Sequence, residues 1–369
     1  MKKNIVLTGG GTLGSVTPLL AFKQAFEKTG EYTFTFIGTR KGVEKDFIQK
    51  TEPNIIYKWI FSGKFRRYIS YKTILDPAGI KLGFIQSLFY FLKNKPAAVI
   101  TAGSYVSVPV IIAARIFKIP IIVHQMDIKV GLANKIMARF ANIINISFKE
   151  NKKDFKHLKN KEIIHLGNPI RQEIFKGSKK KSIDFYKLNP KSPTLLVVGG
   201  GTGSHIINEF VEDNHRDLLK EMNVILISGK QKSPRKPGHY TIKDNRYIIE
   251  ELVQDNLENI YAVADLVVTR AGLGALYELL ALEKPVFVLP IKNSQQEDNA
   301  ELLHKNEIGE IFHSHDIDSG KLLKEILKTI KNKKQLAHLS EHASHIIKKD
   351  AADKLSEYMI KEMKINSNS

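Results

Sequence analysis

The chain has 369 residues, 43% of them apolar and 26% charged, a composition that excludes a disordered or fibrous protein and leaves room for two hydrophobic cores. It contains no cysteine, which excludes disulfides and thiolate metal sites and fits a reducing compartment. Lys and Arg number 57 against 38 acids, for a formal charge of +19. That excess either draws the protein toward a polyanion or reflects lysine-rich usage in general.

In chain order, "MKKNIVLTGGG" is basic and then apolar. Its apolar run is too short for a secretory segment, so it reads as a buried first strand entering a glycine turn. From Pro18 to Lys28, Leu19, Phe22, Ala25 and Phe26 share one helical face, with Gly30 past the end. "YTFTFIGT" is a second strand. Between Trp59 and Lys95, aromatic and aliphatic residues interleave with Lys and Arg; Phe84, Leu88, Phe91 and Leu92 share a face flanked by Lys81 and Lys93. Such a face suits a membrane-interface helix or a core-packing helix equally well. The longest uncharged stretch, Pro96 to Ala114, is broken by Gly103, Ser104, Ser107 and Pro109. It predicts strand, loop and helix start, and no transmembrane segment is expected.

"AAVITAG", "PIIVHQ" and "NIINIS" are further strands, each preceded by a helical segment. The tract "KGSKKKSIDFYKLNPKSP" is a poor core former and reads as a connector. The rhythm resumes at Thr194 with strands in "TLLVVGG", "NVILISG", "RYIIEEL", "DLVVTRAG" and "PVFVLPI", and the chain is lysine-rich with a helical period from Lys321 on. The prediction is an α/β protein of two doubly wound domains, residues 1–168 and 169–344, with a cleft between them.

A strand, a GGGTxGS turn and a helix occur twice, at Gly9–Ser15 and at Gly199–Ser204. Gly9, Gly11 and Gly14 satisfy G-x-G-x-x-G. A dinucleotide site also needs an acid at the end of the second strand, about 20 residues on. That strand ends in Gly38-Thr39-Arg40, which leaves an NADP site and a plain tight turn both open. In the second loop, glycine amides approach an anion at a helix N-terminus, and Thr202 and Ser204 add hydroxyls. It lacks the lysine of a P-loop, so an ATPase is not expected. Further on, Gly272-Leu273-Gly274 opens a helix that carries Glu278 about a turn inside. There Glu278 is either a solvated helix residue or an acceptor for the two ribose hydroxyls of a nucleotide. Gln295 and Gln296 offer amides to sugar hydroxyls.

Six motifs stand in register from Lys3 to Phe312: "GGGTLGSVTP", "TAGSYVSVP", "HQMDIKVGLANKIMARFA", "LGNPIR", "VVGGGTGSHIIN" and "TRAGLGALYELLALEKPVFVLP" with "QQEDNA". Together they resemble the MurG family, transferases that move N-acetylglucosamine from UDP-GlcNAc to a lipid-linked muramoyl pentapeptide in peptidoglycan synthesis. The resemblance implies a GT-B fold of two Rossmann-like domains, with the donor in the C-terminal one and the acceptor on the N-terminal one. It also implies a last helix, about 345–365, that returns to the first domain.

By the same resemblance Arg171, Gly201, Thr202, Gly203, Ser204, Gly272, Leu273 and Gly274 serve the donor diphosphate, Glu278 the ribose, and Gln295 and Gln296 the donor sugar. Gly11, Thr12, Gly14, Tyr105, Gln125, Asn134 and Asn208 match positions near the acceptor. Neither cofactor nor metal is implied; the expected partners are UDP-GlcNAc, an undecaprenyl-linked acceptor and an anionic membrane surface, not nucleic acid. The expected location is the cytoplasmic face of the membrane, peripherally.

Two departures bear on the chemistry. The family's GGTGGH reads Gly10 to Ser15 here, so its histidine is Ser15 and one glycine is Leu13, which narrows the space for a phosphate. The family's HEQN reads His124-Gln125-Met126-Asp127. Asp127 is then the first candidate base and His124 the second, while Ser15 can donate a hydrogen bond or cap a helix. Three alternatives stay open: another lipid acceptor, an inactive nucleotide-sugar binder, and an NADP reductase.

Overall fold

The computed structural model describes residues 2–63, 71–200, 203–229, 232, 245–253, 255–312 and 319–366. The chain divides into two compact units, residues 1–171 with 348–369 and residues 172–347.

The first unit alternates β1 (Lys3–Thr8), α1 (Thr17–Glu27), β2 (Tyr32–Gly38), α2 (Val43–Thr51), β3 (Ile56–Trp59), α3 (Tyr71–Lys93), β4 (Ala98–Thr101), α4 (Ser107–Ile116), β5 (Ile121–Gln125), α5 (Leu132–Ala138), β6 (Ile143–Ile146), α6 (Lys152–Phe155) and β7 (Glu162–Ile164). Its sheet is wholly parallel, seven strands in the order β3-β2-β1-β4-β5-β6-β7. The second unit holds α7 (Lys179–Tyr186), β8 (Thr194–Val198), α8 (His205–Glu221), β9 (Asn223–Ile227), β10 (Tyr247–Glu250), α9 (Leu257–Val263), β11 (Leu266–Thr269), α10 (Leu273–Ala281), β12 (Val286–Val288), α11 (Gln295–Lys305), β13 (Gly309–Ile311), α12 (Ser319–Lys331) and α13 (Lys333–Ile346). Its six strands, also all parallel, run β10-β9-β8-β11-β12-β13.

Central strands such as β4, β5, β8 and β9 are buried along their whole length, because helices cover both faces of a parallel sheet. That is why they read as unbroken apolar runs. The edge strand β3 is largely exposed and the edge strands β7 and β13 are mostly half-buried; none carries such a run, so the sequence did not announce them.

One expectation is corrected and one open alternative is decided. The lysine-rich connector contains a helix, α7, whose N-cap Ser178 Oγ accepts from Lys181 N and which ends at Lys187 with φ +56°. It packs on α9, and Ser182 is its buried residue. The face of α3 chosen from Phe84, Leu88, Phe91 and Leu92 is the core face: Phe91 is fully buried, and Phe84 and Leu88 pack on the same cluster. Leu92 instead joins a second apolar stripe of Leu82, Ile85 and Phe89, all solvent-exposed. Phe61 and Trp59, also exposed, make an edge-to-face pair with centroids 5.4 Å apart. The chain at Phe61 runs close to α3 at Gly83, where a Cβ would lie 1.9 Å from the Phe61 carbonyl oxygen.

The final helix, α14 (Ala351–Asn366), belongs to the first unit. It lies on α1 through the small-residue contact of Ala352 with Ala21 and Ala25, and Lys28 pairs with Asp353 at the rim. Among the described residues, no helix is long and apolar enough to cross a membrane.

Candidate active site

In each sheet the strand order reverses at the first strand. β1 lies between β2 and β4, and β8 lies between β9 and β11. Connections leave such neighbours in opposite directions, and the crevice at their C-terminal ends is where open α/β sheets take ligands.

In the first unit this point gathers the loops after β1, β4 and β5. Ser104 Oγ donates to Gly10 O at 2.8 Å, and Ser107 Oγ to Thr8 O at 2.9 Å, fixing the β4 loop on the β1 loop. The Tyr105 ring lies against Gly11, where a Cβ would stand 3.0 Å from Cε1. Gly14 faces Met126 Cε at 3.9 Å from its Cβ position. Thr12 is exposed and Asp127 half-buried. Asn134 Nδ2 donates to Gln125 Oε1 at 2.6 Å and to His124 O at 3.2 Å, and Gln125 Nε2 donates to Asp127 O at 2.6 Å. Asn134 Oδ1 is buried with no hydrogen-bond partner among the described residues, beside Gly103. Gly11, Thr12, Gly14, Tyr105, Gln125, Asn134 and Asp127 are thus brought together on one rim.

Three sequence-derived roles change here. His124 is fully buried; its Nε2–H donates to Asn168 Oδ1 at 2.8 Å, and its Nδ1 accepts from Asn145 Nδ2 at 2.9 Å. Burial holds its pKa down at about 4 against 6.5, opposed in part by the hydrogen bond to the Asn168 side chain and by the Asn145 backbone. Both ring nitrogens are engaged, so His124 braces β5 rather than acting as a base. Ser15 caps no helix: it sits in a 3-10 turn, accepts from Gly10 N at 3.2 Å and donates to Thr12 O at 3.5 Å. Leu13 is buried, so its side chain packs inward and does not fill the loop mouth.

The first glycine loop also holds an anion of its own. Glu44, in the first turn of α2, is fully buried. Its Oε2 accepts from Gly11 N at 3.1 Å and its Oε1 from Thr39 N at 2.9 Å, with Thr39 Oγ1 as a further donor. A Cβ at Gly10 would stand 2.5 Å from Glu44 Oε1, and one at Gly42 2.1 Å from Oε2. The space that a dinucleotide pyrophosphate needs is therefore taken by a side chain, which disposes of the NADP reading. It also engages the Gly11 amide, so that N–H is already bonded within the protein. The signal for Glu44 was in the sequence, as an acid one residue inside a glycine-started helix.

The second unit differs. Thr269 Oγ1 donates to Val198 O at 2.9 Å, so the loops after β8 and β11 leave side by side. Gly200 has φ +80°, and none of the described residues comes within 4 Å of its Cβ position. Gly203, at φ +67°, packs on β9, with its Cβ position 2.1 Å from Ser228 O. Gly201 and Thr202 lie outside the described residues. Ser204, expected at the diphosphate, is the buried N-cap of α8, accepting from Ile207 N at 3.4 Å.

Asn208, grouped by sequence with the acceptor positions, lies on α8 in this unit. It is 2% exposed and its Nδ2 donates to Ser228 O and Lys232 O at 2.9 and 2.8 Å. It is a brace beneath the loop. The residue it braces, Lys232, sets Nζ 3.3 Å from Gly203 O, a cation at the loop that sequence reasoning missed among many lysines.

α10 begins at Gly272 with no side-chain cap and no acid in its first turn, so its N-terminal amides and dipole are unneutralised by its own side chains. Gln296 Nε2 lies 3.6 Å from the Gly272 Cβ position, and Asn299 Nδ2 donates to Ala271 O at 3.0 Å, joining the starts of α11 and α10. Gln295 is half-buried beside it. Leu273, Gly274 and Glu278 are buried, Glu278 at 3%, so it is no solvated helix residue. Arg171, the last residue of the first unit, is buried at 7%.

Comparison with known proteins covers both units. The glycosyltransferase family 28 N-terminal domain matches residues 5–146, and the C-terminal domain of the same family matches residues 194–355. A UDP-N-acetylglucosamine–N-acetylmuramyl-(pentapeptide) pyrophosphoryl-undecaprenol N-acetylglucosamine transferase of Clostridium botulinum (strain Alaska E43 / Type E3) is 33% identical, over 98% of this chain and 99% of its own. A protein of the same name from Clostridium novyi (strain NT) is 36% identical, over 90% and 93%. Among solved structures, Acinetobacter baumannii MurG superposes with a TM-score of 0.68 at 20% identity, covering 97% of this chain and 99% of that one. A co-structure of S. aureus MnaA with UDP gives 0.70 at 13% identity, over 97% and 96%. These likenesses establish the fold as GT-B, two parallel-sheet α/β domains.

Glu44→Ala orphans the buried Gly11 and Thr39 amides, and is expected to destabilise the first unit by about 3 kcal/mol in urea unfolding. His124 gives a pH signature. Its folded pKa, about 4, lies below the 6.5 of the unfolded chain. Its contribution is therefore present above pH 6.5 and lost as the pH falls toward 4, by about 3 kcal/mol in all. His124→Gln is expected to remove that part of the acid sensitivity, read from urea unfolding at pH 7 and pH 4.5.

Proposed function

The chain belongs to the MurG family within glycosyltransferase family 28, and from that premise we propose that it moves N-acetylglucosamine from UDP-GlcNAc to an undecaprenyl-diphosphate-linked muramoyl pentapeptide, with inversion. The observation that carries the proposal is the end-to-end match to the clostridial transferase, 33% identity over 98% of this chain. The two rims support it in detail.

The donor is assigned to the second unit. The α10 N-terminus presents amides without an acid of its own, and the β8 loop has Gly200 uncovered by any described residue and the Lys232 ammonium at Gly203. Positive partial charge at both loops suits a diphosphate, which must carry the electron pair when the bond from the anomeric carbon to its phosphate oxygen breaks. Glu278, one turn into α10, is assigned the ribose hydroxyls, and Gln295 and Gln296 the sugar. Arg171 remains a diphosphate candidate.

The acceptor is assigned to the first unit. With His124 and Ser15 committed to the scaffold, Asp127 is the remaining base. It stands on a backbone held by Gln125 Nε2 at 2.6 Å and Asn151 Nδ2 at 3.2 Å. It takes the proton of the acceptor hydroxyl as that oxygen attacks the anomeric carbon. Asn134 Oδ1, buried and unpartnered among the described residues, offers an acceptor to a sugar hydroxyl at the same rim.

A lipid-linked acceptor requires approach to a bilayer, and the second stripe of α3 supports peripheral attachment. Leu82, Ile85, Phe89 and Leu92 are exposed, next to Trp59 and Phe61. The exposed cations Lys58, Lys81, Lys93 and Lys95 surround them in sequence, and Arg40 lies 5.2 Å over the Trp59 ring. Apolar side chains then enter the acyl boundary while cations meet anionic headgroups.

Two experiments test this reading. With UDP-GlcNAc and the lipid-linked acceptor, the protein is expected to form the disaccharide product. Asp127→Asn should lower kcat at least 100-fold with UDP affinity unchanged, whereas Glu278→Gln should weaken UDP at least tenfold. Absence of both UDP binding and transfer would overturn the assignment, and UDP binding without transfer would leave an inactive binder. In flotation with anionic vesicles the protein should rise at low salt and less at high salt. The pair Phe89→Asp with Leu92→Asp should abolish flotation, and equal flotation of that variant would discard the α3 surface.

A further inference from the structure

We propose that the second unit carries a zinc site formed by Glu307, His338 and His342, unrelated to the transfer chemistry. The two histidines stand one helical turn apart on the same face of α13, with ring centroids 4.2 Å apart. Glu307 occupies the turn between α11 and β13 at φ +57°, a left-handed conformation fixed by Glu307 N donating to His304 O at 3.0 Å and by the fully buried Ile308 that follows. The turn aims the carboxylate at both rings. Glu307 Oε2 lies 3.4 Å from His342 Nε2 and 3.9 Å from His338 Nε2, and the three ligand atoms all fall within 4.8 Å of one another.

Those separations fit the metal and not merely the charge. Ligand atoms about 2.0–2.1 Å from a tetrahedral zinc ion are about 3.4 Å apart along each edge. The Glu307–His342 pair stands at that value already, the Glu307–His338 pair needs a shift of about half an ångström, and the two imidazole nitrogens, within 4.8 Å of each other, close by side-chain rotation. The ring orientation is prepared as well. His342 Nδ1–H donates to the His338 carbonyl at 2.9 Å. That bond sets the tautomer in which Nε2 carries the lone pair, the outer-shell arrangement of metal-binding histidines. Two imidazoles and one carboxylate form a borderline donor set that selects zinc over calcium or magnesium, which take all-oxygen shells. Water completes the coordination, since the cluster is largely exposed.

Bound zinc would join the α11–β13 turn to α13, and α13 packs on α10, the helix whose N-terminus is assigned to the donor. The site therefore braces the outer layer of this unit and makes no contact with the reaction.

The test uses the full chain without a purification tag, freed of metal by chelator and dialysis. Calorimetric titration with zinc chloride is expected to show one site of micromolar Kd, and the visible spectrum of the cobalt-substituted protein should carry the intensity of a low-coordinate nitrogen and oxygen site. Zinc at 100 Kd should raise the thermal midpoint by roughly 5 °C. His342→Ala and Glu307→Gln, both at surface positions, should weaken zinc at least tenfold while leaving the midpoint in chelator and the affinity for UDP unchanged. Zinc binding of equal strength by the parent and His342→Ala, or none by the parent at 100 μM, would overturn the proposal.

Discussion

The carboxylate of Glu44 is the interaction on which the first unit's rim depends. With no exposure to solvent, it accepts the Gly11 and Thr39 amides and the Thr39 hydroxyl, and so ties the exits of β1 and β2 to the first turn of α2. Charge-assisted bonds of this kind are stronger than neutral ones and cannot be replaced by water in a sealed position. Once the β1 loop is fixed, Ser104 and Tyr105 set the β4 loop against it, and the β5 exit follows through Gln125 and Asn134. The glycines at positions 10 and 42 leave room for a protein side chain.

The twin loops therefore share a sequence and differ in physics. One is filled from within, while in the other no described residue covers Gly200 and an ammonium stands at Gly203. Nothing in GGGTxGS distinguishes them, because the difference lies in residues remote along the chain, Glu44 for one and Lys232 for the other. The assignment of donor to the second unit rests on that contrast as much as on family membership.

Much of the fold was legible because parallel sheets bury both faces. Strands such as β4, β5 and β8 appear as unbroken apolar runs, and α1 shows its core face by spacing alone. The edge strands β3, β7 and β13 escaped notice because backbone pairing, more than side-chain burial, makes them. α7 escaped because a Ser cap and a few buried contacts suffice where lysines dominate the composition. On α3, periodicity located one apolar face, and it was the face that packs inward; a second stripe about a third of a turn away carries the exposed residues. At the site, residue types gave the candidates but not their engagements. His124 and Asn208 read as chemistry, and only coordinates reveal that both ring nitrogens of His124 and the amide nitrogen of Asn208 are already bonded within the protein.

The first unit is discontinuous along the chain, whereas residues 172–347 are contiguous. On the ribosome the contiguous unit has all its parts before the other does. The seven-stranded sheet is complete by Ile164, yet the inner face of α1 that receives Ala352 waits for α14, which follows the whole of the second unit. A chain cut before Ala351 therefore has a finished second unit and a first unit without the helix that covers α1, the kind of product that proteolysis finds.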